Sequence, residues 1–294
     1  MSETKKRRPA HALFTGDGRL GNQLFQAAFL DSLLSRGDRL TTTGMEELLE
    51  GFDWDRLQID NRRDSRAHQS AKRWYRRLGR LAVKLGLVSG LAQKRAVYEH
   101  AGKSYKLHGD TIVQKRGMFT RYIYVDKGYY QSAKLAEHAS FQLKEKYQQA
   151  ARAFLETLPA GPRAFVHVRR GDYATWTIFG RTPLLGLDYF ARGMEAIRAS
   201  APDTQFILLS DDVDAVVDAL PGLHVFRGAD VYEDFGMMVL CDGGVISNST
   251  LSWWGGFFCK RALPVVAPKG FLAHGLGFEY PAGIISEWMT PIEP

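Results

Sequence analysis

The chain has 294 residues, 45% of them hydrophobic and 24% charged, with a formal net charge of +7. That is the profile of a globular protein with room for one large domain or two of about 150 residues. No apolar run approaches the roughly 20 residues of a membrane span, and no signal-peptide core follows the basic start Lys5-Lys6-Arg7-Arg8-Pro9, so a cytoplasmic location is expected.

The positive excess invites a nucleic-acid reading, but it is concentrated. Arg56, Arg62, Arg63, Arg66, Lys72, Arg73, Arg76, Arg77, Arg80, Lys84, Lys94 and Arg95 fall within one stretch, which asks for a local explanation.

Taken in order, Ala12-Leu13-Phe14 predicts a short strand. It runs through Gly16, Gly18 and Gly21 into a helix with Leu24, Phe25, Ala28, Phe29, Leu33 and Leu34 on one stripe, closing at Gly37. The glycines match G-x-G-x-x-G, yet the acidic residue a dinucleotide site wants about 20 positions on has only Asp38 as a candidate. What the pattern offers is a helix N-terminus whose backbone N–H groups suit an anion, with the side-chain amides of Asn22 and Gln23 beside Gly21. Residues 41–70 are polar and carry no clear pattern. Residues 71–88 predict a helix with Trp74, Leu78, Leu81, Leu85 and Val88 on one stripe and Arg73, Arg76, Arg77, Arg80 and Lys84 around it. Such a helix either lies on an anionic membrane surface, which would make the protein peripheral on the inner face of the membrane, or packs its stripe on the core and leaves its cations in water. Residues 133–158 predict one long helix. The run Pro159-Ala160-Gly161-Pro162 then divides the chain into domains 1–158, with a basic helical insertion at about 56–95, and 159–294.

The second half alternates regularly. Phe165-Val166-His167-Val168 predicts a buried strand, with Arg169, Arg170, Gly171 and Asp172 at its tip. Two adjacent guanidinium groups suit a diphosphate, which arginine grips bidentately. A plain ion pair with Asp172 is the competing role. A helix over 187–199 follows, then a strand 205–209 that delivers Ser210, Asp211 and Asp212. A helix over 213–220, a strand 223–226, and a helix over 232–240 with Asp234 in its first turn come next. A strand 243–246 delivers Ser247, Asn248, Ser249 and Thr250, and a helix 251–259 and a strand 263–267 complete the series. The alternation predicts an α/β fold with a parallel sheet wound in the Rossmann manner, whose ligands gather at the carboxyl edge of the strands. Asp234 there can accept two N–H bonds from a guanine edge or complement a helix dipole. Ser249 and Thr250 can take a phosphate or serve as an N-cap. Together these groups describe a cleft for a nucleotide diphosphate between two domains. The D-x-D pattern of metal-dependent sugar transferases occurs twice, at Asp53–Asp55 and Asp212–Asp214, but the arginine pair already supplies the positive charge, so no metal and no other cofactor are expected. Cys241 and Cys259 read as buried thiols.

Five blocks also carry a resemblance: Gly18-Arg19-Leu20-Gly21-Asn22-Gln23-Leu24-Phe25-Gln26, Gly128-Tyr129-Tyr130-Gln131-Ser132, His167-Val168-Arg169-Arg170-Gly171-Asp172-Tyr173, Leu209-Ser210-Asp211-Asp212, and Ser247-Asn248-Ser249-Thr250-Leu251-Ser252-Trp253-Trp254-Gly255. In this order they resemble the family 11 glycosyltransferases, the α-1,2-fucosyltransferases that use GDP-L-fucose. The resemblance implies a type B glycosyltransferase fold of two Rossmann-like domains, inversion at the sugar carbon and no essential metal. Arg19 departs from the family's more usual glycine, and the basic segment 56–95 is longer and more cationic than its counterparts.

On that reading, GDP-L-fucose is the donor substrate and a glycan, free or lipid-linked, is the acceptor, with the 2-OH of galactose as its attacking group. Arg169 and Arg170 neutralise charge growing on the β-phosphate. Asp172 is general base or orients an arginine, and His167 touches the nucleotide or fixes its loop. The donor-binding set is then Gly21, Asn22, Gln23, His167, Arg169, Arg170, Ser210, Asp211, Asp234, Asn248, Ser249 and Thr250. A basic nucleic-acid-binding protein explains the charge but not the polar groups converging at strand ends, and no nucleic-acid module motif appears, so no nucleic-acid partner is expected. A transferase using another GDP-sugar is a further rival, as is an NAD-dependent oxidoreductase built on the glycines of the first loop.

Overall fold

The computed structural model describes residues 8–61 and 66–294, and for residues 66–72 the backbone alone. Lys5, Lys6, Arg7, Arg62 and Arg63 of the predicted basic segments lie outside the described residues. The chain divides into two compact units. Met1–Ala96, Lys106–Tyr130 and Leu135–Gln142 form the first, and Val97–Tyr105, Gln131–Lys134 and Leu143–Pro294 form the second.

In chain order the first unit supplies β1 (His11–Thr15), α1 (Leu20–Leu33), β2 (Arg39–Thr43), α2 (Glu46–Gly51), β3 (Phe52–Asp53), β4 (Gln58–Asn61), α3 (Arg66–Lys84), β5 (Val88–His100) and β6 (Lys103–Lys115) apart from their residues within 97–105, and β7 (Phe119–Val125). Its sheet runs β4-β2-β1-β7-β5-β6, and β1 pairs in parallel with both β2 and β7. Ala12 and Phe14 of β1 are buried, as are Leu24, Phe25, Ala27, Ala28 and Leu30 of α1, so the first predicted strand and helix stand as expected. The polar stretch that showed no pattern holds β2, α2, β3 and β4.

The basic helix ends at Lys84, and Val88 opens the next strand. Its packed face is not the leucine stripe. Gly79 lies against the Tyr124 ring so closely that a Cβ there would stand 2.3 Å from it, and Val83 packs on Gly90. Trp74, Leu78, Leu81 and Leu85 remain exposed. Close approach through a glycine selects the small-residue side of the helix, which hydrophobic periodicity alone does not reveal.

The long helix predicted over 133–158 is broken into α4 (Ala133–Ala136), β8 (Gln142–Leu143), a one-turn 3-10 helix Glu145–Gln148, and α5 (Gln149–Glu156). Within the first unit, Asp31 takes the Ser140 backbone N–H at 2.9 Å and its hydroxyl at 2.8 Å. Phe141 turns inward, edge-on to Phe52. These contacts outweigh local helix propensity.

The second unit continues with β9 (Arg163–Val168), α6 (Leu187–Arg198), β10 (Gln205–Ser210), α7 (Asp214–Val217), β11 (Leu223–Val225), α8 (Val231–Leu240), β12 (Gly243–Val245), α9 (Thr250–Phe258), β13 (Val265–Pro268) and β14 (Met289–Ile292). The sheet order is β11-β10-β9-β12-β13-β14, and neighbouring strands pair in parallel throughout. Counted from β9, this is the 3-2-1-4-5-6 order of a Rossmann sheet, whose topological switch point falls between its first and fourth strands, here β9 and β12. Ala164, Val166, Val168, Phe190, Ile197, Phe206, Leu208 and Val266 build its core. The strand β14, which no sequence pattern announces, carries Pro291 and closes the sheet as an edge, where proline is tolerated.

The expected boundary at 158 lies inside this unit, because the segment before it packs on α8. Tyr147 meets Tyr232 with ring centroids 4.7 Å apart, and Phe154 meets Phe226 at 5.2 Å. Residues 97–105 join the unit through Tyr98, which stacks on Phe278 and meets Tyr280 edge-on.

Candidate active site

The parallel sheet of the second unit sends the ends of β9, β10 and β12 to one edge, with the loop after β11 leading into α8 there as well. The switch point is bridged directly. His167, near the end of β9, is buried, and its Nδ1 lies 3.0 Å from Ser247 Oγ, just beyond β12. Burial, reinforced by the Arg169 charge, pushes the imidazole pKa down to about 4. His167 is therefore a neutral post between two strand ends.

Arg169 leaves this post as a fork with its charges already matched. Its Nε donates to Asp172 Oδ1 at 3.1 Å, and Nη2 reaches the same oxygen. Nη1 pairs with Asp211 Oδ2 at 2.8 Å, and the guanidinium lies over the Tyr173 ring. Asp211 Oδ1 also accepts the backbone N–H of Arg170 at 2.8 Å. One carboxylate from the end of β10 thus braces both arginines. The Arg170 Nε is buried and 3.5 Å from Asp212 Oδ2, and it has no hydrogen-bond acceptor.

Gly171 does not serve the turn by a left-handed φ. It serves by size, since a Cβ there would stand 2.5 Å from Asp211 Oδ2.

The other predicted residues sort by what they touch. Ser210 Oγ donates to Val168 O at 2.9 Å and accepts the Asp212 N–H, so it joins β10 to β9. Asn248 is buried and donates through Nδ2 to Pro183 O at 2.8 Å, and its Oδ1 has no partner. Ser249 is the N-cap of α9, accepting from the Leu251 N–H, and Thr250 is the first helical residue. Capping of α8 belongs to Asp230, which accepts from the Tyr232 and Glu233 N–H groups. Asp234 instead accepts the Gly228 N–H at 3.1 Å, and burial pushes its carboxyl up to about 6. Of the D-x-D carboxylates here, Asp212 faces Arg170, and Asp214 pairs with Arg227.

Tyr173 is a site residue that the sequence reasoning passes over. It is the platform under Arg169, and its phenol donates to Asn248 O at 3.1 Å. Burial holds its pKa well above the usual phenol value. Its sequence signal is its place at the end of the block His167–Tyr173, directly after Asp172.

Gly21, Asn22 and Gln23 belong to the first unit, in the opening turn of α1. The Leu20 and Gln23 donors there are engaged locally. The Leu20 N–H binds Glu47 Oε2 at 2.6 Å, Gln23 Nε2 binds Gly18 O at 3.1 Å, and Gln23 Oε1 accepts the Leu48 N–H at 2.9 Å. A carboxylate of the protein itself sits at the helix N-terminus where the sequence pattern suggests an external anion.

His167 and Asp234 oppose each other in pH. His167 binds fewer protons folded than unfolded between its ordinary value near 6.5 and about 4, so its contribution to stability is lost as pH falls through that window. Asp234 has a raised pKa, so its buried charge destabilises above about pH 6 and is relieved as pH falls toward 4. Asp234→Asn is expected to gain roughly 2 kcal/mol at pH 7.5 and to lose stability more steeply than wild type from pH 6.5 to 4. Urea midpoints across that range check both signs. A variant no more stable at pH 7.5 would mean that the Asp234 charge is not buried at cost.

Comparison with known proteins places these features. The family model described as glycosyl transferase family 11 matches residues 92–282. The O-antigen biosynthesis glycosyltransferase WbnK of Escherichia coli is 30% identical over 116 residues, which are 37% of this chain and 38% of that protein. The chain thus matches well under half of the length of this curated relative. Among solved structures, the glycosyl transferase family 9 protein from Veillonella parvula DSM 2008 superposes with a TM-score of 0.50 at 12% identity, covering 97% of this chain and 86% of the other. The NodZ α-1,6-fucosyltransferase co-crystallised with GDP gives a TM-score of 0.47 at 13% identity over 86% of this chain and 93% of that one. The fold is the type B glycosyltransferase architecture, with two α/β units on largely parallel sheets.

Proposed function

The chain belongs to glycosyl transferase family 11, and we propose that it moves L-fucose from GDP-L-fucose to the 2-OH of galactose in a surface-glycan acceptor, inverting the sugar carbon and using no metal. The observation that carries this reading is the pair Arg169–Arg170 beside the switch point, braced by Asp211, with a buried Arg170 Nε that has no hydrogen-bond acceptor. An anionic diphosphate oxygen is the group that donor is suited to meet.

The chemistry follows from the same contacts. Both bonds from Arg169 to Asp172 fall on Oδ1, and the carboxylate is more than half exposed. A β-phosphate competing for that fork displaces Asp172 and frees it as the base. The acceptor oxygen then forms its bond to the fucose anomeric carbon as the bond from that carbon to the β-phosphate oxygen breaks. The hydroxyl proton passes to Asp172, and the charge left on GDP is met by Arg169 and Arg170. The two roles read for Asp172 become successive, first orienting the arginine and then accepting the proton. His167, neutral and bonded to Ser247, fixes the loop. Asp234 accepts from the guanine edge, and the α9 N-terminus at Ser249 and Thr250 faces phosphate.

The test is transfer and hydrolysis of GDP-fucose against GDP-mannose by the purified protein with EDTA present. Turnover of GDP-fucose alone is expected. GDP is expected to raise the melting temperature and NAD is not, since a ligand at about 100 times its Kd adds roughly 2.7 kcal/mol. Turnover of GDP-mannose would overturn the sugar assignment, and no shift with GDP would overturn the nucleotide site. Gly171→Ala, which crowds Asp211, is expected to cost about 10²-fold in kcat/KM, since small displacements of a positioning group carry that cost, with little change in melting temperature.

A further inference from the structure

The exposed face of α3, in the first unit, is built as one continuous surface. Trp74, Leu78, Leu81 and Leu85 recur at helical spacing and are 59%, 58%, 49% and 64% exposed. The surface does not stop at the helix end. The Met118 N–H donates to Gly86 O and the Phe119 N–H to Leu87 O, each at 2.8 Å, which sets exposed Leu87, Met118 and Phe119 beside Leu85. At its middle, Leu78 borders an open apolar depression of about 350 Å³ that His11, Ala82 and Tyr122 also line.

Cations run along this surface. Arg73, Arg77 and Lys84 lie on the flank of the leucine stripe opposite Ala82 and are exposed. Exposed Lys115 and Arg116 extend the charge beyond the helix end, with Lys115 Nζ reaching Lys84 O at 3.2 Å. Residues 65–98 and 111–125 contain no Asp or Glu. Arg80 is paired with Asp126 and anchors the helix instead.

We propose that this face of the first unit docks on an anionic lipid bilayer, with α3 parallel to the surface. Trp74 and the leucines enter the headgroup–acyl boundary, about 5–10 Å deep, while the arginines and lysines meet lipid phosphates. Charge complementarity selects this occupant. A second copy of the chain would set Arg73, Arg77 and Lys84 against their own equivalents. A nucleic acid would answer the cations but leave the leucine stripe in water. The bilayer answers both halves of the surface at once. The inference stands apart from the donor and acceptor assignments.

The test is flotation of the full-length protein with vesicles of phosphatidylethanolamine and phosphatidylglycerol against pure phosphatidylcholine, at low and high salt. Binding to the anionic vesicles is expected, at least about tenfold above phosphatidylcholine and weakened by salt. Leu78→Glu/Leu81→Glu and Arg73→Glu/Arg77→Glu are each expected to cut it at least about tenfold. All four residues are exposed, so circular-dichroism melts should match wild type. Equal binding to both lipids, binding that survives the leucine changes, or none at all with the fold intact would overturn the proposal. So would a dimer in size exclusion that Leu78→Glu converts to monomer without any vesicle affinity, or cation-dependent RNA binding that persists in the leucine variant.

Discussion

Arg169→Ala is expected to lower kcat/KM for GDP-fucose by about 10³-fold or more, in line with the loss of a positioned cation from a phosphate-transfer site. Three effects add. On the proposed reading the β-phosphate loses its fork, the departing GDP keeps Arg170 alone to meet its charge, and Asp172 and Asp211, which the guanidinium holds at 3.1 and 2.8 Å, lose their shared cation. Arg169→Lys restores the charge but not the planar fork, so it is expected to recover only part of the rate. Initial rates at saturating and limiting donor separate the contributions, since loss of transition-state contact lowers kcat as well as kcat/KM. The backbone bond from Arg170 to Asp211 does not depend on Arg169, so the melting temperature should move little. Near-normal turnover in Arg169→Ala would show that this residue does not meet the phosphate.

The second large effect is on folding. Trp253 is fully buried in α9, stacks on Phe257 with centroids 5.6 Å apart, and meets Trp254 and Trp288 edge-on. Its indole N–H donates to Ile284 O at 2.7 Å. Trp253→Ala removes that area, opens a cavity and leaves a buried carbonyl without its donor. The expected cost is about 3–5 kcal/mol, a large part of the roughly 5–15 kcal/mol that a domain has in total. The variant is expected to be aggregation-prone or to unfold at markedly lower urea. Trp253→Phe, which keeps most of the volume and loses the hydrogen bond, should fall between the two. Equilibrium unfolding by fluorescence and circular dichroism checks the order. An unchanged midpoint in Trp253→Ala would mean that α9 is not held by this cluster.

This second result bears on how the motif Ser247–Gly255 is read. It is specific as a string, but much of it packs. Ser247 posts His167, Ser249 caps α9, Ser252 bonds the Ser247 and Ser249 carbonyls, and Trp253 and Trp254 fill the core. The arginine block is the converse case. It is short, polar and charged where a strand ends, and the structure gathers there the pairs its composition promises. Cys241 and Cys259 are buried free thiols, with Cys259 pushed up to about 11 by burial.

Read alone, the sequence determined the alternation of strands and helices from β9 to β13, the carboxyl-edge placement of His167 to Asp172, Ser210 to Asp212 and Ser247 to Thr250, and the amphipathic, acid-free character of the basic helix. These depend on local periodicity and on residues near one another in the chain. Only the tertiary structure decided that Asp211 rather than Asp172 alone braces both arginines, that Tyr173 lies beneath Arg169, and that Glu47 occupies the N-terminus of α1. It also decided that the segment 133–158 breaks at Ser140 and Phe141, and that α3 packs by Gly79 and leaves its leucines exposed. Each of these turns on a partner from a distant part of the chain, or on which face of a helix fits closest to its neighbour. A pattern of 3.6 or 2 residues encodes neither, because it records what a residue is and not what it meets.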